Sequence, residues 1–272
     1  MLGNWSDHLT ILRPFALAEM PLQTIEPRRL YRQIAGQLRA LIETGEFAVG
    51  SRLPPERDLA QQLGVSRPSV REALIALEVE GHVEVRMGSG VYVRQSDPAS
   101  ARVVSAEAPL ETIRARQLIE SELAAHAATH MKKAQIGGLR EAIALMETDA
   151  AAGHTPTRGD RLFHTRIAEA SDNSVLLRVV SELFDERHNP LSAQLGSHFE
   201  TPRSWAAAIA EHSAVLDAIT RQSARGARAA MARHLTHSHD RFTANWPADV
   251  DSTRVLAPAR RRSLPLVARR SS

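Results

Sequence analysis

Residues 53–93 read LPPERDLAQQLGVSRPSVREALIALEVEGHVEVRMGSGVYV and predict two helices followed by a β-hairpin. The first helix begins near Glu56 and ends before Gly64, because glycine commonly terminates helices. Ser66 is a good N-cap for the second, longer helix. The period then changes from helical to alternating on both sides of the glycine-rich turn at 88–90, which is typical of a two-stranded hairpin.

A further helix is predicted before this stretch. Apolar residues recur at three- and four-residue intervals between Arg28 and Gly45. Three helices and a glycine-tipped hairpin over residues 24–95 form a winged helix-turn-helix pattern. In that arrangement a tight turn holds the last helix at a large angle, so that its amino-terminal end can enter the major groove of DNA.

The residue types at this end of the third helix suit DNA. An arginine fork can pair with the acceptor edge of guanine, and the free N–H groups of a helix start attract phosphate. An arginine of the preceding helix can reach a backbone phosphate, and the small hairpin tip can lie close to the minor groove. The candidate DNA contacts are Arg57, Ser66, Arg67, Ser69, Arg71 and Gly88.

The chain length of 272 residues suits two domains, and the overall fold is predicted to be mainly α. After the hairpin the sequence is alanine-rich and helical in period, with no convincing strand, and predicts an antiparallel bundle of six or seven helices. The predicted organisation is a flexible segment at 1–23, a DNA-binding domain at 24–95, a linker at 96–109, an all-helical domain at 110–246 and a basic disordered tail at 247–272.

The charge and the composition exclude several classes of protein. The net charge is +3, but residues 247–272 alone hold six arginines and two aspartates, so the high isoelectric point does not by itself indicate nucleic-acid binding. The absence of cysteine excludes a disulfide scaffold, a thiolate zinc site and a cysteine nucleophile. No uninterrupted apolar stretch approaches ~18 residues and no signal peptide is recognised, so we expect a cytoplasmic protein without a membrane partner.

Histidines and an aspartate in the helical domain are candidates for a metal site. Asp160 and His164 are four residues apart and share one helix face, while His212 and His234 belong to two later helices. Nitrogen and oxygen donors suit zinc, nickel or manganese, with zinc the first expectation. Spacing alone leaves an accidental grouping open, because the chain contains twelve histidines.

Residues 30–93 resemble the GntR family of bacterial transcription regulators, on the motifs LPPERDLA at 53–60, VSRPSVREAL at 65–74 and GSGVYV at 88–93. The resemblance implies a homodimer that binds a palindromic operator in double-stranded DNA, with Arg57, Arg67 and Arg71 as contacts. Many relatives have threonine where this chain has Pro68, so a hydroxyl donor is missing from the turn.

Residues 160–173, 211–212 and 231–235 are similar to the helical FCD domain of the FadR subfamily, which uses all four positions of the candidate metal set. The resemblance implies that Arg116 and Asn173 contact a small carboxylate effector beside the metal. A surface ion pair between Arg116 and Glu120, four residues apart on a helix, is the alternative role for that arginine.

The segment LFDERHNPL at 183–191 resembles the hexuronate and aldonate regulators of this family, which implies a sugar-acid effector and a repressor of a catabolic operon. Lactate or another short hydroxy acid is the competing effector. A metalloenzyme that activates water at the His/Asp cluster is a different class of function, but no G-x-S-x-G, H-E-x-x-H or Walker sequence occurs. A structural DNA binder with a scaffold-only helical domain is the third possibility.

Overall fold

The computed structural model describes residues 30–95 and 106–243. It confirms a mainly α fold, in which a winged helix-turn-helix domain precedes a domain of seven helices. The predicted segment 1–23 and tail 247–272 lie outside the described residues, as do residues 96–105 of the predicted linker. No helix within the described part of the chain is long and apolar enough to span a bilayer.

The DNA-binding domain consists of three helices and one antiparallel hairpin, whose register pairs Val83 with Val93. Its elements are α1 (Leu30–Glu43), α2 (Glu56–Leu63), α3 (Arg67–Val79), β1 (Val83–Arg86) and β2 (Gly90–Val93). Gly64 ends α2 in the left-handed region at φ 65°, a conformation that glycine adopts without a Cβ clash. Ser66 then caps α3 by accepting a hydrogen bond from the Ser69 amide. The turn and the cap are those predicted from the sequence.

The second domain is an antiparallel helical bundle with α4 along its centre. Its helices are α4 (Pro109–His130), α5 (Lys133–Ala151), α6 (Thr157–Glu169), α7 (Ser174–Asp185), α8 (Pro190–Phe199), α9 (Pro202–Thr220) and α10 (Ala224–Thr243). Alanines of α4, among them Ala124 and Ala127, are fully buried and allow close approach of neighbouring helices. Gly159 has the same effect on α6, since a Cβ there would lie 2.7 Å from the Ala142 carbonyl oxygen of α5.

One of two hydrophobic clusters extends from the DNA-binding domain into the helical domain, whereas the second lies within the helical domain. Leu191, Leu195 and Phe199 of α8 are buried in the same cluster as the apolar residues of α1 and α3. Ala106 and Ala108 belong to it as well, and the Tyr31 hydroxyl donates a hydrogen bond to the Ala106 carbonyl at 2.8 Å.

The carboxy-terminal end of the linker predicted at 96–109 packs against this cluster. Ala106 and Ala108 are packed in it, Glu107 between them is exposed, and α4 begins at Pro109. The alanines make this segment resemble a linker in composition, but their small side chains also fit into the space between the domains.

Glu72 of α3 joins the two domains through a buried hydrogen bond. Its Oε1 accepts from the backbone N–H of Leu110 in the first turn of α4, at 2.9 Å. Burial raises the pKa of Glu72 to about 7, and the Leu110 hydrogen bond only partly offsets that effect. A carboxylate with a raised pKa favours the folded state at low pH and loses that contribution as pH rises.

We predict that Glu72→Gln flattens the pH dependence of stability. The Glu72 contribution to the free energy of unfolding is fully present below pH 4.5 and is lost as the pH rises to about 7. Glutamine accepts the same hydrogen bond without a charge, so the variant gains up to about 3 kcal/mol relative to the wild type between pH 4.5 and 8. Urea unfolding across this range measures the effect. The exposed Glu43→Gln variant is the control, and parallel profiles for wild type and Glu72→Gln would contradict the prediction.

Candidate metal centre and DNA-binding surface

Four side chains from three helices meet inside the helical domain. Asp160 and His164 project from one face of α6, His212 from α9 and His234 from α10, and all four are buried. One ligand atom from each lies within 4.8 Å of the others. The Nε2 atom of His212 is 3.0 Å from Nε2 of His164 and 3.1 Å from Oδ1 of Asp160. The structure thus brings together the quartet selected from the sequence.

Each histidine of the quartet is oriented through its Nδ1 atom. His164 Nδ1 hydrogen bonds to Oε2 of Glu120, His212 Nδ1 donates to the Ala208 carbonyl at 2.7 Å, and His234 Nδ1 donates to Oε2 of Glu211 at 2.9 Å. A proton held on Nδ1 leaves the Nε2 lone pair free for a ligand bond. These acceptors are the outer partners that a metal-binding histidine requires, and sequence reasoning missed them.

Arg187 orients the aspartate in the same way. Its Nη1 donates to Oδ2 of Asp160 at 2.7 Å and its Nη2 donates to Oε1 of Glu200 at 2.8 Å. The other oxygen of Asp160, Oδ1, faces the imidazoles. Arg187 lies in the segment 183–191 that suggested the subfamily, but no spacing rule assigns it a role at the site.

The pKa shifts favour donor groups that are ready to bind a cation. Burial alone would raise the pKa of Asp160, but the charge of Arg187 and the two histidines beside the carboxylate hold it well below its usual value. Burial and the neighbouring His212 lower the pKa of His234 to about 3, and burial also lowers the pKa of His212. At neutral pH the site therefore offers an ionised carboxylate and at least two neutral imidazoles, a donor set that fits a divalent transition metal.

Glu120 ties the quartet to Arg116. Its Oε1 accepts from Nε of Arg116 at 2.7 Å while its Oε2 accepts from His164. Burial opposes ionisation of Glu120, yet the charges of Arg116 and His164 outweigh it and lower the pKa to about 2. The Arg116–Glu120 pair exists as the spacing allows, but it is buried and not on the surface.

Arg116 also borders the space in which a ligand could lie. Its guanidinium stacks over the Phe184 ring at 3.8 Å, and its buried Nη2 has no hydrogen-bond partner among the described residues. A cavity of about 380 Å³ is lined by Arg116, together with residues of α4, α6, α8 and α10. A smaller cavity of about 30 Å³ shares Arg116 and Arg187 with it and is lined by Asp160 and His234. The two cavities are therefore adjacent, with Arg116 and Arg187 in the wall of both.

Asn173, the second predicted effector contact, lines neither cavity. Its side chain is the N-cap of α7, where Oδ1 accepts hydrogen bonds from the amides of Val175 and Leu176 at 3.0 and 3.2 Å. Asn173 is exposed and caps α7 away from both cavities, so the structure does not bring it to the space beside Arg116.

Five of the six predicted DNA contacts are exposed or half-buried, namely Arg57, Ser66, Arg67, Ser69 and Gly88. The wing that carries Gly88 is braced by the Arg86 guanidinium, which lies 4.5 Å from the centre of the Tyr92 ring. The Ser89 and Tyr92 hydroxyls, 2.9 Å apart, form a further hydrogen bond beside the tip.

Arg71, the sixth predicted contact, is only 1% exposed. Its Nη2 donates to Oε2 of Glu56 at 2.8 Å, and its Nη1 donates to the carbonyl of Phe242 in the last turn of α10. In this arrangement the predicted DNA contact by Arg71 is blocked, because α10 covers the side chain.

We predict that Glu120→Gln destabilises the metal-free protein by about 3–5 kcal/mol, since it leaves the buried Arg116 and His164 without their shared counter-charge. Glu182→Gln is the matched control, because Arg178 and Glu182 form an i,i+4 pair of the same residue types that is more than 60% exposed. That variant should change stability by ~0.5 kcal/mol or less. Chemical unfolding in the presence of a chelator measures both, and equal effects would contradict the assignment of Glu120.

Comparison with known proteins agrees with this division of the chain. Residues 30–93 match the family described as bacterial regulatory proteins, gntR family, and residues 111–237 match the FCD domain. The Uxu operon transcriptional regulator of Escherichia coli (strain K12) is 37% identical over 227 residues, which cover 79% of this chain and 87% of that protein.

Two further relatives from the same strain cover the chain to a similar extent. The Exu regulon transcriptional regulator is 38% identical, over 80% of this chain and 86% of its own length. The putative L-lactate dehydrogenase operon regulatory protein is 36% identical, over 78% of this chain and 86% of its own length. These relatives are regulators and not enzymes. The chain is a transcriptional regulator that belongs to the GntR family, in the group whose members carry an FCD domain.

Proposed function

We propose that this regulator binds a palindromic operator as a homodimer in the cytoplasm and represses a sugar-acid catabolic operon. A hexuronate or aldonate is the proposed effector, bound through its carboxylate in the helical domain. The observation that carries the effector site is the buried, unpartnered Nη2 of Arg116, which borders the cavity beside the metal-ligand candidates. An unpaired guanidinium N–H in a buried position is costly unless an acceptor binds it.

The metal in this proposal is held by Asp160 Oδ1 and by the Nε2 atoms of His164, His212 and His234. Zinc is the first candidate, with nickel or manganese as alternatives, since all three accept nitrogen and oxygen donors. When bound, such an ion supplies a positive charge that attracts one carboxylate oxygen. Arg116 supplies the second point of attachment through a directional N–H donor.

Two observations favour a six-carbon acid over a shorter one. The cavity volume of about 380 Å³ lies in the range of pockets that hold larger ligands, and the hydroxyl-bearing residues Thr112, Ser192 and Ser238 are among those that line it. Two of the three relatives described above are regulators of Uxu and Exu genes. A short hydroxy acid such as lactate is the second candidate, because the third relative is named for an L-lactate dehydrogenase operon.

The proposed DNA surface is tested by selection of bound duplexes from a random library. We predict enrichment of a sequence with dyad symmetry, and at least about 10-fold weaker binding of that duplex by Arg67→Ala and by Arg57→Ala, because a lost arginine contact costs about 1–3 kcal/mol. Arg178→Ala, an exposed arginine of α7, is the control and should bind as wild type does. Failure to enrich any sequence would refute the operator proposal.

The proposed sensor site is tested by metal analysis and thermal shift. Elemental analysis should find about one transition-metal ion per chain in the wild type and in His154→Ala, an exposed-histidine control, and little in His212→Ala. D-glucuronate should raise the melting temperature of the metal-loaded wild type, because it binds the folded state. Arg116→Ala should keep the metal but lose that shift. A metal content unaffected by His212→Ala, or a D-glucuronate shift retained in Arg116→Ala, would contradict this site. A melting-temperature shift with L-lactate but not with D-glucuronate would instead identify a short hydroxy acid as the effector.

A further inference from the structure

Arg71 occupies an unusual position for a residue of the DNA-binding helix. It lies four residues after Arg67 on α3, so the two side chains share one helix face. Their exposure nevertheless differs sharply, because the Arg67 side chain is 54% exposed and that of Arg71 is 1% exposed. The helical domain contributes to the difference, since Phe199 of α8 and Phe242 of α10 contact Arg71.

The groups that enclose Arg71 come from both domains. Glu56 of α2 accepts from Nε and Nη2 of Arg71, and its other oxygen accepts from Nε of Arg67. The Phe242 carbonyl of α10 accepts from Nη1. The Phe199 ring of α8 lies 5.6 Å from the guanidinium carbon and contacts the Phe242 ring edge-on, with centroids 6.3 Å apart. We call Phe199 and Phe242 together the clamp.

The N–H groups of Arg71 that DNA would need are already occupied: the Phe242 carbonyl accepts from Nη1, and Glu56 accepts from Nε and Nη2. A carboxylate and a carbonyl at the carboxy-terminal end of a helix, where the helix dipole is negative, are favourable partners for a guanidinium. A guanine edge or a phosphate needs those same donors and cannot reach them while α10 covers the side chain. Operator contact by Arg71 and closure of the clamp therefore exclude each other.

The clamp is also part of the wall of the ligand space. Phe242 lines both cavities, and Phe199 lines the smaller one beside Asp160 and His234. A ligand bound in either cavity lies against Phe242, the residue whose carbonyl holds Arg71. One side chain thus connects the proposed sensor site with the DNA-binding helix.

We propose that the helical domain autoinhibits DNA binding by holding Arg71 in the clamp, and that operator binding requires the last turn of α10 to release it. This inference rests on the proposed function and adds the element through which the helical domain regulates DNA contact. It treats Arg71 as a DNA contact in the released state only. If Arg71 instead serves only to join the domains, weakening the clamp lowers stability without a gain in operator affinity.

The first test compares operator affinity of the full chain and of Phe199→Ala, Phe242→Ala and the double variant, with the duplex obtained by selection. Weakening the clamp should tighten binding by at least about 5-fold, the lower end of ordinary allosteric couplings. Leu139→Ala is the control, because it removes a fully buried side chain from the helical core that does not contact Arg71. Unchanged or weaker binding by the folded clamp variants would overturn the proposal.

Hydrogen exchange of the wild-type protein provides a test that needs no variant. Addition of the selected duplex should accelerate amide exchange over residues 239–243, the last turn of α10, and leave residues 227–235 unchanged. Unchanged or slower exchange of the last turn in the operator complex would overturn the proposal. If the protein binds a specific duplex and responds to D-glucuronate, but neither the variants nor the exchange of residues 239–243 behaves as predicted, only the clamp proposal is refuted. If no specific duplex is found, the proposed function itself is refuted.

Discussion

The buried carboxylate of Glu120 is the interaction on which the helical domain depends. It accepts one hydrogen bond from Arg116 and one from His164, and all three groups are almost fully excluded from solvent. Ionisable groups at that depth are tolerated only when they are paired. Because one carboxylate serves both partners, the orientation of the cavity arginine and that of a metal-ligand candidate are set together.

Other charged side chains around the quartet are also paired with groups of opposite charge. Arg187 neutralises Asp160 and is itself held by Glu200, while Glu211 accepts from His234, His237 and Arg241. Both oxygens of Glu211 are thereby occupied, which leaves it unsuited to act as a general base. The buried network therefore favours a rigid binding site over a hydrolytic one, in agreement with the family to which the chain belongs.

Much of this arrangement is predictable from sequence, for identifiable reasons. The turn at Gly64, the cap at Ser66 and the hairpin obey local rules, and the four candidate metal ligands follow from helical spacing together with the family resemblance. Other features depend on packing between distant segments. No local pattern reveals that Ala106 and Ala108 join a core formed by α1, α3 and α8. The burial of Arg71 is of the same kind, since it is α10, some 170 residues along the chain, that covers it.

X-ray absorption spectroscopy at the zinc edge of the zinc-loaded wild-type protein tests the buried quartet most directly. The expected spectrum shows a first shell of nitrogen and oxygen neighbours with the multiple scattering of three imidazoles, and D-glucuronate should change the oxygen contribution while the three imidazoles remain. A shell without imidazole scattering, or an imidazole shell retained when His164, His212 and His234 are all replaced by alanine, would contradict the account.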